Sequence, residues 1–141
     1  MPALNKLVKA TGESAAYHIM QGKARLCLYR VDSPHPVRDH IRAGDLLPAD
    51  RGSGARVLRA FDPKVQPSTP HERKLLAEIR EKGYFAGAGD RLAEVAGISA
   101  PVFRQNGELA AALTLTMPSQ RFDDRHIQAV LETARELSGR V

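Results

Sequence analysis

Apolar residues recur along this chain with two different periods, and the switches between them predict its elements. Leu4, Leu7 and Val8 share one helical face over residues 4–10, and Thr11-Gly12 ends that run. Residues 13–21 and 24–31 read as antiparallel strands joined by a turn at Gln21-Gly22-Lys23. Strict alternation in the second strand puts Leu26, Leu28 and Arg30 on one face and Arg25, Cys27, Tyr29 and Val31 on the other. After the prolyl connection 32–36, residues 37–43 carry the His, Asp and Arg content of an edge strand. A helix of about ten residues runs through Arg56, Val57, Leu58, Ala60 and Phe61, and Asp62-Pro63 stops it. Thr69-Pro70-His71-Glu72 starts a further helix, with Thr69 as N-cap, Pro70 in the first turn and Glu72 completing a capping box. Leu75, Leu76 and Ile79 form its buried stripe, Gly83 stops it, and a short strand follows at 84–88. In the last helix Ile127, Val130, Leu131, Ala134, Leu137 and Val141 make one apolar stripe, opened by an Asp123 N-cap inside a Phe122–Ile127 staple.

The stretch 97–118, GISAPVFRQNGELAAALTLTMP, carries the period of two most clearly. Asn106-Gly107 reads as a two-residue hairpin turn, whose central positions both need φ above zero. Gln105 then faces Glu108. The register places Phe103 opposite Ala110, Pro101 opposite Ala112, Ser99 opposite Thr114 and Gly97 opposite Thr116, all on one face. The other face is aliphatic: Ile98, Ala100, Val102, Ala111, Leu113 and Leu115. The first face is mostly small and carries hydroxyls at Ser99, Thr114 and Thr116. Hydroxyls in a hollow hold a polar ligand; the same residues also suit a plain solvent-exposed or helix-covered sheet.

Helix, antiparallel strands, two helices, further antiparallel strands and a helix make an α+β chain. The order predicts a GAF-like mixed or antiparallel sheet of about six strands flanked by helices, in a single domain over 1–141. Gly52-Ser53-Gly54 falls at a helix N-terminus, where free N–H groups and the helix dipole favour an anion. A Ser N-cap between turn glycines explains the same residues. Composition removes other classes. With 43% hydrophobic and 26% charged residues the chain reads as an ordinary globular protein. Its net charge of +5 is dispersed and aromatics make up only 5%, which disfavours direct nucleic-acid binding. Cys27 is the single cysteine, so no internal disulfide forms. The five histidines lack metal-ligand spacing, and neither a metal nor a cofactor is expected. No apolar run spans a bilayer and no signal peptide opens the chain, so no membrane partner and a cytoplasmic location are expected.

The segments TGESA (11–15), GDLLPADRGSGARVL (44–58), IREKGYFAGAGD (79–90), GISAPVF (97–103) and LAAALTLTMP (109–118), taken in order, resemble the C-terminal effector-binding domain of the IclR family of bacterial transcription regulators. The resemblance implies a ligand sensor and not an enzyme. Members carry a winged helix-turn-helix ahead of this domain; that part is absent here, so contact with DNA is expected only through it. The resemblance also implies a homo-oligomer, dimer or tetramer, and a pocket for a small-molecule effector such as an organic or aromatic carboxylate. Carried over by position, Leu28, Val31 and Leu47 form the pocket wall, and Ser53 and Gly54 offer N–H groups to the effector carboxylate. Gly97 begins the hairpin strand of the site, and Thr114 and Thr116 supply hydroxyls, joined by Ser99 on the face drawn above. The chain departs from the family twice. Ala55-Arg56 stands where members often carry Gly and then Lys or Arg. Gly87 aligns where some members turn an acidic residue toward the effector, which implies a larger or less polar ligand, such as an aromatic or terpenoid acid. On the residues alone two other classes stay open: an enzyme on a GAF-like fold, which would need a base for Cys27, and a basic nucleic-acid-binding module.

Overall fold

Six strands form one sheet, in which every neighbouring pair is antiparallel. They are β1 (Ser14–Gln21), β2 (Ala24–Val31), β3 (Leu46–Pro48), β4 (Phe85–Ala88), β5 (Val95–Phe103) and β6 (Leu109–Pro118). Their spatial order is β3-β2-β1-β6-β5-β4, so the first and last strands of the chain meet at the centre. The structure is a computed structural model and describes residues 1–39 and 41–141. The α+β class read from the sequence holds.

Helices cover both faces. On one, α1 (Pro2–Thr11) brings Leu4, Leu7 and Val8, and α4 (His126–Leu137) brings Val130, Ala134 and Leu137, onto Ala15, Tyr17, Ile98, Leu113 and Leu115. Each large side chain buried there contributes about 1.5–3 kcal/mol. On the other face lie α2 (Ser53–Ala60) and α3 (Pro70–Lys82), whose Val57, Leu58, Ala60, Leu76 and Ile79 pack together over Ala112. Thr69 caps α3, its Oγ1 accepting from Glu72 N at 3.0 Å. The Glu72 carboxylate reaches back one residue further than expected, accepting from Ser68 N at 2.8 Å and from Arg59 Nη2 at 2.6 Å.

Four local expectations are corrected. Residues 37–43 form no strand among those described, and His40 lies outside them; the strand that pairs with β2 is β3, three residues later. The β5–β6 turn is not a two-residue Asn-Gly turn. Gly107 N donates to Arg104 O at 2.9 Å, Arg104 N donates to Glu108 O at 2.8 Å, and only Gly107 has positive φ, at 86°. This is a three-residue loop, in which Gln105 and Asn106 keep ordinary negative φ. The longer loop shifts the pairing by one, and a bulge beside Phe103 shifts it back, so Pro101 still faces Ala112, Ser99 faces Thr114 and Gly97 faces Thr116. Asp123 does not cap α4. It caps the preceding turn, its Oδ1 accepting from Arg125 N at 2.9 Å, and the helix starts at His126 without a side-chain cap.

The fourth correction bears on the site. β2 carries a bulge at Leu28: Tyr17 pairs with Tyr29, but His18 pairs with Cys27. Alternation therefore breaks, and Arg25 and Cys27 share a face with Arg30 instead of with Tyr29 and Val31. Val31 stands in the row Val31–Ala15–Leu115–Ile98, which packs under α1 and α4.

Candidate functional site

The face toward α2 is built, Phe85 at its edge apart, from rows of small residues. Gly87, Gly97, Thr116 and Ser14 make one row across four strands, and Phe85, Ser99, Thr114 and Ala16 make the next. Their small size lets the N-terminus of α2 come down onto the sheet. A Cβ on Gly97 would lie 2.9 Å from Ser53 Cβ. One on Gly54 would lie 2.6 Å from His18 Nδ1 and 3.0 Å from both Arg25 Nη1 and Thr114 Oγ1. Glycine is required at both places because something must approach closely.

The start of α2 is held from the β4–β5 loop. Asp90 accepts from Gly52 N at 2.6 Å and from Arg56 Nη2 at 3.0 Å and Nε at 3.1 Å. Gly52, at φ 99°, is the N-cap residue, and no side chain caps the helix, so Ser53 does not serve as the cap. The first intrahelical bond runs from Arg56 N to Gly52 O at 3.0 Å. The amides of Ser53, Gly54 and Ala55 come before it and have no carbonyl one turn back to bond.

The first residues of α2 and the sheet hydroxyls meet at one small cavity. Its lining includes Ser53, Gly54, Gly97, Thr114 and Thr116, together with His18 and the charged Arg25, Asp90 and Arg91. The cavity measures about 20 Å³, room for a single water molecule. One of the groups that wall it is a buried guanidinium. Arg25 is 2% exposed. Its Nε donates to Pro48 O at 3.1 Å, its Nη2 to Arg51 O at 3.2 Å, and its Nη1 to His18 Nδ1 at 3.2 Å. Among the described residues it forms no ion pair, since nearby Asp90 is engaged by Arg56. Burial first, and Arg91 second, push its pKa down to about 10, so it stays charged at neutral pH.

His18 is the other residue that strand alternation did not single out. It is 1% exposed, and burial, then Arg25, Arg30 and Arg91, push its pKa down to about 3. The imidazole is therefore neutral. Arginine only donates, so Nδ1 must accept and the ring proton must sit on Nε2. His18 Nε2 is buried with no partner among the described residues, and so is Thr116 Oγ1. Thr114 Oγ1, by contrast, is satisfied by Ser99 Oγ at 2.9 Å.

The remaining residues singled out from the sequence lie elsewhere. Leu28 is the bulged residue, 38% exposed, and is not in the lining; Val31 lies on the opposite face of the sheet. Leu47 packs behind the cavity with Ala16, Cys27 and Ile41. Gly87 flanks Gly97 one strand outward, beside Phe85, and Ser99 supports Thr114 from below the lining. A wider groove of about 620 Å³ opens between the end of α2 and the β5–β6 loop, and it includes none of them. Cys27 is buried, its thiol pushed up to about 11 by that burial, and it donates to Tyr29 O at 3.5 Å; it is a structural thiol. Among the described residues no cluster of three or more His, Cys, Asp or Glu could hold a metal ion, and no helix is long and apolar enough to cross a membrane.

Comparison with known proteins agrees with this architecture. The chain is 29% identical over 160 aligned positions to the HTH-type transcriptional regulator BhcR of Paracoccus denitrificans, with 97% of this chain and 57% of that protein covered. It is 27% identical to the Pca operon regulatory protein of Acinetobacter baylyi, covering 96% of this chain and 59% of that one. The chain thus spans a little over half the length of these relatives. Among solved structures, the C-terminal domain of a candidate transcriptional regulator from Vibrio cholerae superposes with a TM-score of 0.89 at 29% identity, covering 96% of this chain and 92% of that one. An IclR-family structure from Rhodococcus sp. gives 0.88 at 28% identity, with 97% and 60% covered. These relatives are named as regulators, and the domain is a regulatory one and not an enzyme. The family model for the C-terminal domain of bacterial IclR transcriptional regulators matches residues 1–141, and the chain belongs to that family.

Proposed function

We propose that this domain senses a small organic acid in the cavity between α2 and the sheet, and that the bound acid biases the assembly of subunits in a cytoplasmic transcription regulator. One observation carries the reading: the first residues of α2, the Thr116 hydroxyl, which has no partner among the described residues, and a buried guanidinium line the same small cavity. Each of these can donate or carries positive charge, Arg91 adds a second cation to the lining, and the one carboxylate there, Asp90, accepts from Gly52 N and Arg56, so the set complements an anion. Contact with DNA then belongs to a winged helix-turn-helix elsewhere in the full regulator. Regulation follows from differential affinity, because the acid must bind one arrangement of subunits more tightly than another.

Isothermal calorimetry with a panel of small carboxylates tests the site. Thr114→Phe fills the cavity and abolishes binding while the far-ultraviolet dichroism stays native. Unchanged affinity in that variant places the effector elsewhere. Light scattering tests assembly: the mass is expected to exceed one subunit and to respond to the acid, and a monomer at every concentration excludes the oligomeric part.

A further inference from the structure

The two edges of the sheet are finished differently. β3 closes one edge, is three residues long and ends in Pro48. β4 forms the other edge, and its sequence, FAGA, carries neither proline nor charge. Gly89 N donates to Val95 O at 2.9 Å, which fixes the phase of the β4–β5 ladder. In that phase Phe85 and Gly87 turn their N–H and C=O groups toward β5, and Ala86 and Ala88 turn theirs outward. Among the described residues no other strand or loop bonds to those outward groups.

A groove of about 340 Å³ lies against this edge. Successive side chains of β4 point to opposite faces, and each face has an apolar wall. Leu75 and Ile79 of α3 border the groove together with Phe85; Phe122, just before α4, and Ile127 within it border the groove together with Ala86. Phe122 is 37% exposed. An open strand edge is complementary to another extended backbone. Apolar walls on both faces select an unbroken apolar run over an alternating one. Two of the three charged residues at the groove are carboxylates, Glu78 and Asp124, neither of which is in an ion pair among the described residues. On a domain of net charge +5 this rim is acidic, and it complements basic residues. A second copy of the domain fits less well. An isologous contact sets the same patch against itself, so carboxylate would meet carboxylate and α3 would have to seat against α3.

We propose that the β4 edge accepts, by strand addition, an extended segment of another protein, made of about four consecutive apolar residues flanked by Lys or Arg. The edge is separate from the effector cavity, since no residue lines both.

Fluorescence anisotropy on the 141-residue chain tests this with a labelled peptide of four valines between paired lysines. The peptide binds saturably below millimolar concentration. N-methylation of its two central valines removes a bond to the edge, and Ala86→Pro removes an outward N–H without touching the β5 ladder; each weakens binding about tenfold. Phe122→Asp puts a charge on the wall and weakens it by a similar factor. Exchanging the lysines for glutamates weakens it about threefold, the size of an exposed ion pair. Equal affinity of the methylated and unmethylated peptides, or of the wild type and Phe122→Asp, overturns strand addition here; these two comparisons carry the test if Ala86→Pro does not fold. Equal affinity of the lysine and glutamate peptides overturns the basic flanks alone. Absence of saturable binding overturns the whole proposal. A mass by light scattering that falls in Ala86→Pro or Phe122→Asp assigns the edge to a second copy and overturns the proposed partner.

Discussion

The two faces of one sheet solve opposite problems with the same strands. Under α1 and α4 the face is made of Ile98, Leu113, Leu115 and Val102, all fully buried, and its packing is apolar throughout. Under the N-terminus of α2 the neighbouring positions are Gly97, Ser99, Thr114 and Thr116, joined by His18 and a buried arginine. The first face is a source of stability. The second gives stability up: among the described residues its buried arginine forms no ion pair, and His18 Nε2 and Thr116 Oγ1 have no partners. A core with unmet donors and a one-water cavity is the expected form of a binding site built into a stable scaffold, because the donors are held in place before the ligand arrives.

Substitutions that treat the faces differently sharpen the contrast. The largest effect is expected on the aliphatic side. Leu113→Ala removes a fully buried side chain and costs about 2–5 kcal/mol, seen as a lower urea midpoint at unchanged slope. Carboxylate affinity, per remaining folded protein, is unaffected. If stability does not move, the assignment of that face as the principal core fails.

Acid acts on the other face. The pKa of His18 lies near 3 in the fold against 6.5 in the unfolded chain. Between those values the unfolded chain binds a proton that the fold refuses, so stability is complete above pH 6.5 and declines as pH falls toward 3. At its steepest this contributes about 1.4 kcal/mol per pH unit. His18→Gln, which can still accept from Arg25, removes that contribution, and denaturant titrations of both proteins from pH 7 to pH 3.5 compare the slopes. Equal slopes contradict a buried neutral imidazole.

Gly54→Ala adds one carbon where His18, Arg25 and Thr114 already lie within 3.0 Å, and costs about 1–3 kcal/mol while eliminating carboxylate binding. Thermal denaturation and calorimetry on one sample read both effects. The smallest change belongs to neither face. Thr69→Ala removes the cap of α3 and lowers stability by about 1 kcal/mol with ligand affinity intact. A loss of affinity there would mean that the site is coupled to α3 through Glu72 and Arg59.

Features that depend on a few consecutive residues were legible in the chain. The Thr69 cap with Pro70, the α1 stripe of Leu4, Leu7 and Val8, and the antiparallel β1–β2 pairing all follow from local preference and appear in the structure. The expectation for Asp123 shows the limit of the same logic. An Asp, an Asp and a following apolar residue fit two successive turns equally well, and the structure places the cap on the earlier one. Ser99, Thr114 and Thr116 faced the expected partners for a different reason than the one inferred, since a longer loop and a bulge cancelled.

Arg25 and His18 were not legible, and one residue explains why. Read with strict alternation, β2 sends Arg25 and Cys27 to the face of Val31. The bulge at Leu28 breaks the alternation, brings Arg25 beside His18 and leaves Val31 in the aliphatic core. No local preference marks a bulge in ARLCLYRV; it is defined by the pairing of β2 with β1, a strand it meets only in the folded sheet. The amino-acid order by itself determined the class of fold, both ends of α3 and the hydroxyl-bearing face. Which cation enters the hollow, and how little room it leaves, was decided only when distant strands paired, because burial and charge at a point are properties of every chain segment that reaches it.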